Sequence, residues 1–319
     1  MKPQPKVTIV IATRNRADIL KECLQSLTMQ TASKDQYNVL IVDNNSTDTT
    51  SEVAEFFVKK YDNFEYVLEK NIGHSPPRNC GMLKSTTEWV ATLDDDARAH
   101  PNWIERMMEI IKMDCFDCFG GVYLAWFKYG KPPVWYGDDW GSNKSIQNHF
   151  GLLPDSLYPS GGNAVYRRAV VLDNDCFSIK FGMSGDMKNP AYGEETDLIN
   201  RMRKNGARVG FVPDMLIDHC VMPHKYKLKW HILSRFASAR DYERLSVEKI
   251  SSIMLLKLIA HLMLISIITL FFPLYVGYKF LTNKQRLSIN MQLIESLLIL
   301  CSRVGGVAGV FSVMFLNLE

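Results

Sequence analysis

Two clusters of carboxylates carry the chemical potential of this 319-residue sequence: Asp94-Asp95-Asp96, and Glu194-Glu195-Thr196-Asp197 behind Gly193. Like charges a few ångströms apart repel unless a cation offsets them, so three consecutive aspartates after an apolar run call for a divalent ion. Oxygen ligands favour Mg2+ or Mn2+. Such an ion can also hold a diphosphate and neutralise the charge that builds on it as it departs. An ordinary acidic turn capping the next helix is the competing reading. The second cluster offers a carboxylate able to take a proton from a hydroxyl. Acidic residues at a helix start also complement its dipole, which accounts for one carboxylate there but not for three within four positions.

These clusters need a scaffold that brings distant segments together. Residues 7–13 (VTIVIAT) and 38–43 (NVLIVD) are β-branched apolar runs suited to strands buried on both faces, and 64–69 and 89–93 read as two more. Between them, 18–30 carries Leu20, Leu24 and Leu27 at helical spacing. Ser46-Thr47-Asp48 starts a helix reaching about residue 61, and 77–85 is a short helix. The alternation predicts an α/β fold with a mainly parallel sheet and flanking helices, in which ligands bind beyond the carboxyl ends of the strands. Thr13-Arg14-Asn15-Arg16, Asp43-Asn44-Asn45 and Asp94-Asp95-Asp96 all fall at such ends and converge on one crevice. Further along, the pattern predicts a helix over 101–113, a strand over 119–126 and a loop rich in aromatics, Gly and Pro over 126–140. A second loop is expected over 182–192, a helix over 194–205 ended by Gly206, and a last strand over 207–213 that leads to His219.

Charge narrows the partners. The net charge of +3 is small, and over residues 1–215 basic and acidic residues interleave, which argues against nucleic acid. No apolar leader precedes the first strand, so the catalytic part is expected in the cytosol. The seven cysteines, an odd number at irregular spacing, suit reduced thiols. From Lys225 the balance changes: Lys225, Lys227, Lys229, Arg235, Arg240, Arg244 and Lys249 face Asp241, Glu243 and Glu248, a composition suited to an anionic membrane surface. Residues 258–278 carry no formal charge apart from His261 and are long enough to cross a bilayer. Residues 293–316 are apolar but contain Glu295 and Arg303. Lys279, Lys284 and Arg286 between the two segments disfavour a pair of full spans from a cytosolic start, so an in-plane or re-entrant hairpin competes with them, as does a packed helical pair. The expected division is a catalytic domain over 1–224, a basic juxtamembrane helical segment over 225–252 and a membrane-associated helical hairpin over 253–319.

In chain order, VTIVIATRNR, VLIVDNNSTDTT, NIGHSPPRNCG, VATLDDDA, SGGNAVYRR and GEETDLINRMRKNG resemble the inverting glycosyltransferases of family 2, from residue 7 to about 220. The resemblance implies the Rossmann-like GT-A fold and a nucleotide-sugar donor, uridine being the commonest base. It also implies transfer of one sugar to a glycan or lipid-linked acceptor, in cell-surface polysaccharide or glycoconjugate synthesis, which the basic and apolar C-terminal segments place at the cytoplasmic face of the membrane. Carried over residue by residue, it makes Asp43 the reader of the nucleobase and puts Thr13 and Arg14 along base and ribose. Asp96 becomes the metal ligand, Asp94 a ribose or metal contact, and Asp95 the member that matters least. Arg78 and Asn79 would lie beside the diphosphate, with Gly81 permitting close packing, and Ser160-Gly161-Gly162-Asn163 under the donor sugar. The family's base is usually the second carboxylate of an acidic pair, which maps to Glu195. Glu stands there in place of the usual Asp, so Glu194 stays in contention, while Asp197 would orient the loop or bind an acceptor hydroxyl. His219 would complete the metal shell, with His224 as the fallback, and a mixed carboxylate and imidazole set suits Mn2+ somewhat better than Mg2+. Trp126, Trp135, Tyr136 and Trp140 could stack on the acceptor or pack as lid or core. A nucleotidyltransferase would need a phosphate loop rich in Gly and Lys, and TRNRADIL has neither. A non-catalytic nucleotide-sugar binder would not need both carboxylate clusters. A processive synthase usually carries QxxRW, absent from 231–240.

Overall fold

The computed structural model describes residues 5–137, 140–144, 146–183, 190–246, 256, 259–260, 262–265, 271 and 289–316. Its strands are β1 Val7–Thr13, β2 Tyr37–Asp43, β3 Phe64–Leu68, β4 Trp89–Leu93, β5 Ala97–Ala99, β6 Cys118–Trp126, β7 Gly151–Leu152, β8 Asn163–Arg167 and β9 Val209–Cys220. They form one sheet in the order β3-β2-β1-β4-β8-β6-β9-β5, with β7 on β9. The first four neighbours are parallel. Strand β8 runs antiparallel to both β4 and β6, and β6 and β9 are parallel again.

The sheet is covered on both faces, which is why β1 has no polar side. Val7, Ile9 and Ile11 pack with Leu20, Leu24 and Leu27 of helix α1 (Ala17–Thr28), Phe57 of α2 (Thr50–Lys60) and Trp103 and Met107 of α4 (Trp103–Met113). Val10 points the other way, to Met82 of α3 (Ser75–Lys84), Val171 of α5 (Arg168–Leu172) and Leu198 and Met202 of α6 (Glu194–Lys204). A Cβ on Gly81 would overlap the Val10 side chain, so glycine lets α3 lie directly on β1, the close packing expected of it.

Two departures from expectation matter for the site. β5 is a short extra strand directly after the aspartates. β9 does not stop at Pro213 but continues to Cys220, crossing Pro213-Asp214 at an irregularity opposite Gly121 and Val122. A proline cannot donate to the ladder, and a bulge is where a sheet tolerates one. The extension pairs His219 with Ala97 of β5 and Ala125 of β6, beside the aspartates.

After a 3-10 turn at Pro223–Tyr226 come α7 (Leu228–Ser246) and α8 (Ile289–Leu316). α8 lies tightly along α7, since a Cβ on Gly305 or Gly309 would overlap the carbonyl oxygen of Phe236 or Arg240. α7 in turn grips the loop that starts α6: the Tyr192 N–H donates to the buried Asp241 at 3.0 Å, and the Tyr192 hydroxyl meets Ser234 Oγ at 2.7 Å. Among the described residues, no helix is long and apolar enough to cross a membrane. The expected span at 258–278 lies largely outside the described residues. The later apolar segment, 293–316, falls within α8, where Gly305 and Gly309 meet protein.

Candidate active site

Asp94, Asp95 and Asp96 follow the end of β4, with the Ala97 N–H donating back to Asp94 O at 3.0 Å. The Cys220 N–H donates to Asp96 O at 2.8 Å and thereby draws His219 in. Its Nε2 lies 3.2 Å from Asp96 Oδ1 and 3.7 Å from Asp94 Oδ2. One ligand atom from each of Asp94, Asp96 and His219 lies within 4.8 Å of the others. Two carboxylate oxygens and an imidazole nitrogen fit a divalent cation, with Mn2+ suited to the mixed set. His224 is exposed on the 3-10 turn and takes no part in this cluster.

The protein supplies its own cation to the aspartates, Arg16, a residue the sequence reading left unassigned. Its Nη1 donates to Asp95 Oδ1 at 2.9 Å and to Asp96 Oδ2 at 2.7 Å. The Arg16 N–H, bonded to Thr50 Oγ1 at 3.0 Å, fixes where the side chain starts. Burial opposes ionisation of Asp96, but His219 and Arg16 outweigh it and hold the carboxyl well below the usual carboxylate range. Burial, with Asp96 alongside, instead pushes Asp95 up to about 6 despite Arg16. Asp96 therefore offers an ionised Oδ1 to a metal, while Asp95 is taken up by Arg16.

A second centre lies on the other side of Gly161-Gly162. The Gly161 N–H donates to Glu195 Oε2 at 3.1 Å. A Cβ on Gly161 would overlap the Glu195 carboxylate, and one on Gly162 would overlap that of Asp94. The two carboxylates thus rest on adjacent glycines, and this crowding requires glycine there. Arg78 bolts the centres together: Nη1 lies 2.9 Å from Glu194 Oε1 and 3.0 Å from Glu195 Oε1, and Nη2 lies 3.5 Å from Asp94 Oδ1. Arg78 was expected beside a diphosphate; here its buried guanidinium is surrounded by carboxylates. The two glutamates differ. Burial disfavours the Glu194 anion, but His74 (Nδ1 at 3.5 Å) and Arg78 outweigh that and bring it down to about 2. For Glu195, burial outweighs Arg78, and the carboxyl is raised. A raised, partly accessible carboxylate is the better proton acceptor.

At the end of β2, the buried Asp43 accepts the Ser46 N–H on Oδ1 and the Tyr66 hydroxyl on Oδ2, both at 2.9 Å. Thr13, its register partner, has a buried hydroxyl, and Arg14 Nη1 donates to Asn44 O at 2.8 Å. Asn44 pins the neighbouring loop by donating to the carbonyls of Glu69 and Asn71 and accepting the Gly73 N–H.

Three expected site residues are used structurally. Both ends of the Asn79 amide are taken by the backbone of Phe177, at 2.8 and 2.9 Å. Asn163, fully buried in β8, donates to Val122 O and Met215 O and accepts the Trp103 indole N–H. Asp197 is held by Arg201 four residues on, at 2.7 and 3.0 Å. The aromatic loop is also occupied: Trp135, Tyr136 and Trp140 pack around His231 of α7, and Arg98 lies over Trp126 at 3.6 Å.

Residues 8–173 match the family model "Glycosyl transferase family 2". Glycosyltransferase AglE of Haloferax volcanii is 38% identical over 118 residues, 37% of this chain and 39% of AglE. The chain spans 39%, 53% and 15% of the length of the first three curated relatives it matches. Among solved structures, the mannosyltransferase PcManGT from Pyrobaculum calidifontis in complex with GDP-Man and Mn2+ superposes with a TM-score of 0.61 at 15% identity, over 98% of this chain and 88% of that one. S. aureus TarS 1-349 in complex with UDP-GlcNAc gives 0.55 at 17% identity, over 97% and 90%. At such identities the likeness speaks for the fold alone.

Proposed function

The chain belongs to glycosyltransferase family 2, and on that premise we propose that it moves one sugar from a nucleotide-sugar donor to a glycan or lipid-linked acceptor with inversion at the anomeric carbon. The observation that carries this reading is the seating of Asp94 and Glu195 on adjacent glycines, joined by Arg78. Donor and acceptor chemistry are thereby held a fixed, short span apart. The nucleobase goes to Asp43, whose carboxylate can accept an imino N–H. A divalent cation held by Asp94, Asp96 and His219 would offset the charge on the departing nucleoside diphosphate. Glu195 removes the acceptor hydroxyl's proton as that oxygen attacks the anomeric carbon. The new C–O bond forms on the face opposite the breaking bond to the diphosphate, which leaves with the electron pair. Glu194 is not the base in this account, because His74 and Arg78 hold it as a stable anion.

The reading is tested with a panel of UDP-, GDP- and thymidine-linked sugars in Mn2+ or Mg2+. One donor should be consumed, and NMR of the product should show the anomeric configuration reversed; retention would contradict the account.

The acceptor side of the proposal is a membrane. Exposed Lys227, Lys229 and Arg235 of the 3-10 turn and α7 region, with Lys225, suit an anionic lipid surface. The protein should float with vesicles containing anionic lipid and release at high salt. Equal recovery with neutral vesicles at any salt would contradict that assignment.

A further inference from the structure

We propose that Tyr66 is a positioning residue for nucleobase recognition, its hydroxyl fixing the Asp43 carboxylate in the orientation that accepts the base's imino N–H. The inference rests on the assignment of Asp43 as base reader made above. An ionised carboxylate has about four lone-pair sites. In Asp43 one on each oxygen is taken, by the Ser46 N–H and by the Tyr66 hydroxyl. Two donors on different oxygens stop the group from rotating about its Cβ–Cγ bond, and a single donor would not.

The register of the sheet explains how Tyr66 reaches. β3 is the edge strand, and Tyr66 pairs with Ile41, two residues before Asp43. With side chains alternating along a strand, Tyr66 and Asp43 share a face, so the ring runs along the sheet to bring its oxygen to the strand end. Burial and the neighbouring Asp43 push the Tyr66 hydroxyl up to about 12, which keeps it an O–H donor at any working pH. Tyr66 also packs against the hydrophobic core, which holds the ring in place. A fixed acceptor favours uracil or guanine, which present an imino N–H, over cytosine, which presents a lone pair at the corresponding ring position.

The test is calorimetric binding of UDP, GDP and CDP, with Mn2+, to the wild-type chain, Tyr66→Phe and Asp43→Asn. Tyr66→Phe should weaken whichever of UDP and GDP binds tighter by on the order of tenfold, while leaving CDP affinity and the unfolding midpoint unchanged. Asp43→Asn should abolish the preference over CDP. If Tyr66→Phe keeps wild-type affinities, or weakens all three nucleotides equally, the role of Tyr66 falls while that of Asp43 stands. If Asp43→Asn discriminates like the wild type, the base-reading assignment itself falls, and the inference with it.

Discussion

Glu195→Gln should lower kcat by 10^2- to 10^4-fold, the range a positioned general base supplies, with little change in donor affinity. Gln is close to isosteric and can keep the hydrogen bond from the Gly161 N–H, so the loop geometry should survive while the proton acceptor is lost. The pH dependence gives an independent sign. A carboxylate base works ionised, and burial raises Glu195. The wild-type rate should therefore climb with pH through an acid limb lying above the ordinary glutamate value of about 4.3, and Glu195→Gln should lack that limb. Glu195→Asp, which restores the residue usual in the family, should keep measurable activity at a shorter reach. Glu194→Gln should behave differently. It leaves Arg78 to Glu195 and Asp94 alone, which favours the ionised form of Glu195 and makes it a weaker base. Its acid limb should move to lower pH, with a smaller loss of kcat. Steady-state rates across pH for these variants check all of this.

Asp96→Ala should remove divalent-cation binding and lower transfer on the order of 10^3-fold, since metal stabilisation of a leaving diphosphate is worth several kcal/mol and each 1.4 kcal/mol is tenfold. Asp96 Oδ1 faces His219, where the proposed cation would bind, and its other oxygen is held by Arg16. Truncation therefore removes a ligand while Arg16 keeps Asp95 as partner, and the chain should still fold. The check is the Mn2+-induced rise in unfolding midpoint, which reports binding to the folded state without reference to activity. It should be present in the wild type and absent in Asp96→Ala.

Much of this was legible in the sequence because it depended on local pattern. β-branched runs separated by helical spacing put Thr13, Asp43 and Asp94 at strand ends, and an alternating α/β order makes those ends meet. Pairings between distant segments were not legible. Arg16 stood in view two residues beyond Asn15's neighbour Arg14, yet its partnership with Asp95 and Asp96 depends on a neighbouring strand order that no local signal states. The same limit applies to Tyr66, an ordinary aromatic in a strand until register brings its hydroxyl to Asp43. The resemblance puts Asn79 beside the diphosphate and Asn163 under the donor sugar. In the fold the Asn79 amide bonds the backbone of Phe177, and the fully buried Asn163 amide bonds Val122, Met215 and Trp103, because a buried amide must satisfy its donors and its acceptor. Pro213 looked like a strand end because proline breaks a ladder, and it took the irregularity opposite Gly121 and Val122 to carry β9 on to His219. The resemblance puts Gly161 and Gly162 under the donor sugar. What approaches them in the protein is the pair of carboxylates.

The division of labour between the two carboxylate centres is tested most directly in Glu195→Gln, by measuring donor and Mn2+ affinity alongside single-turnover transfer to acceptor. Affinity for both ligands should stay at the wild-type value, with transfer reduced at least a hundredfold. Transfer at the wild-type rate, or loss of donor binding in step with loss of activity, would contradict that division.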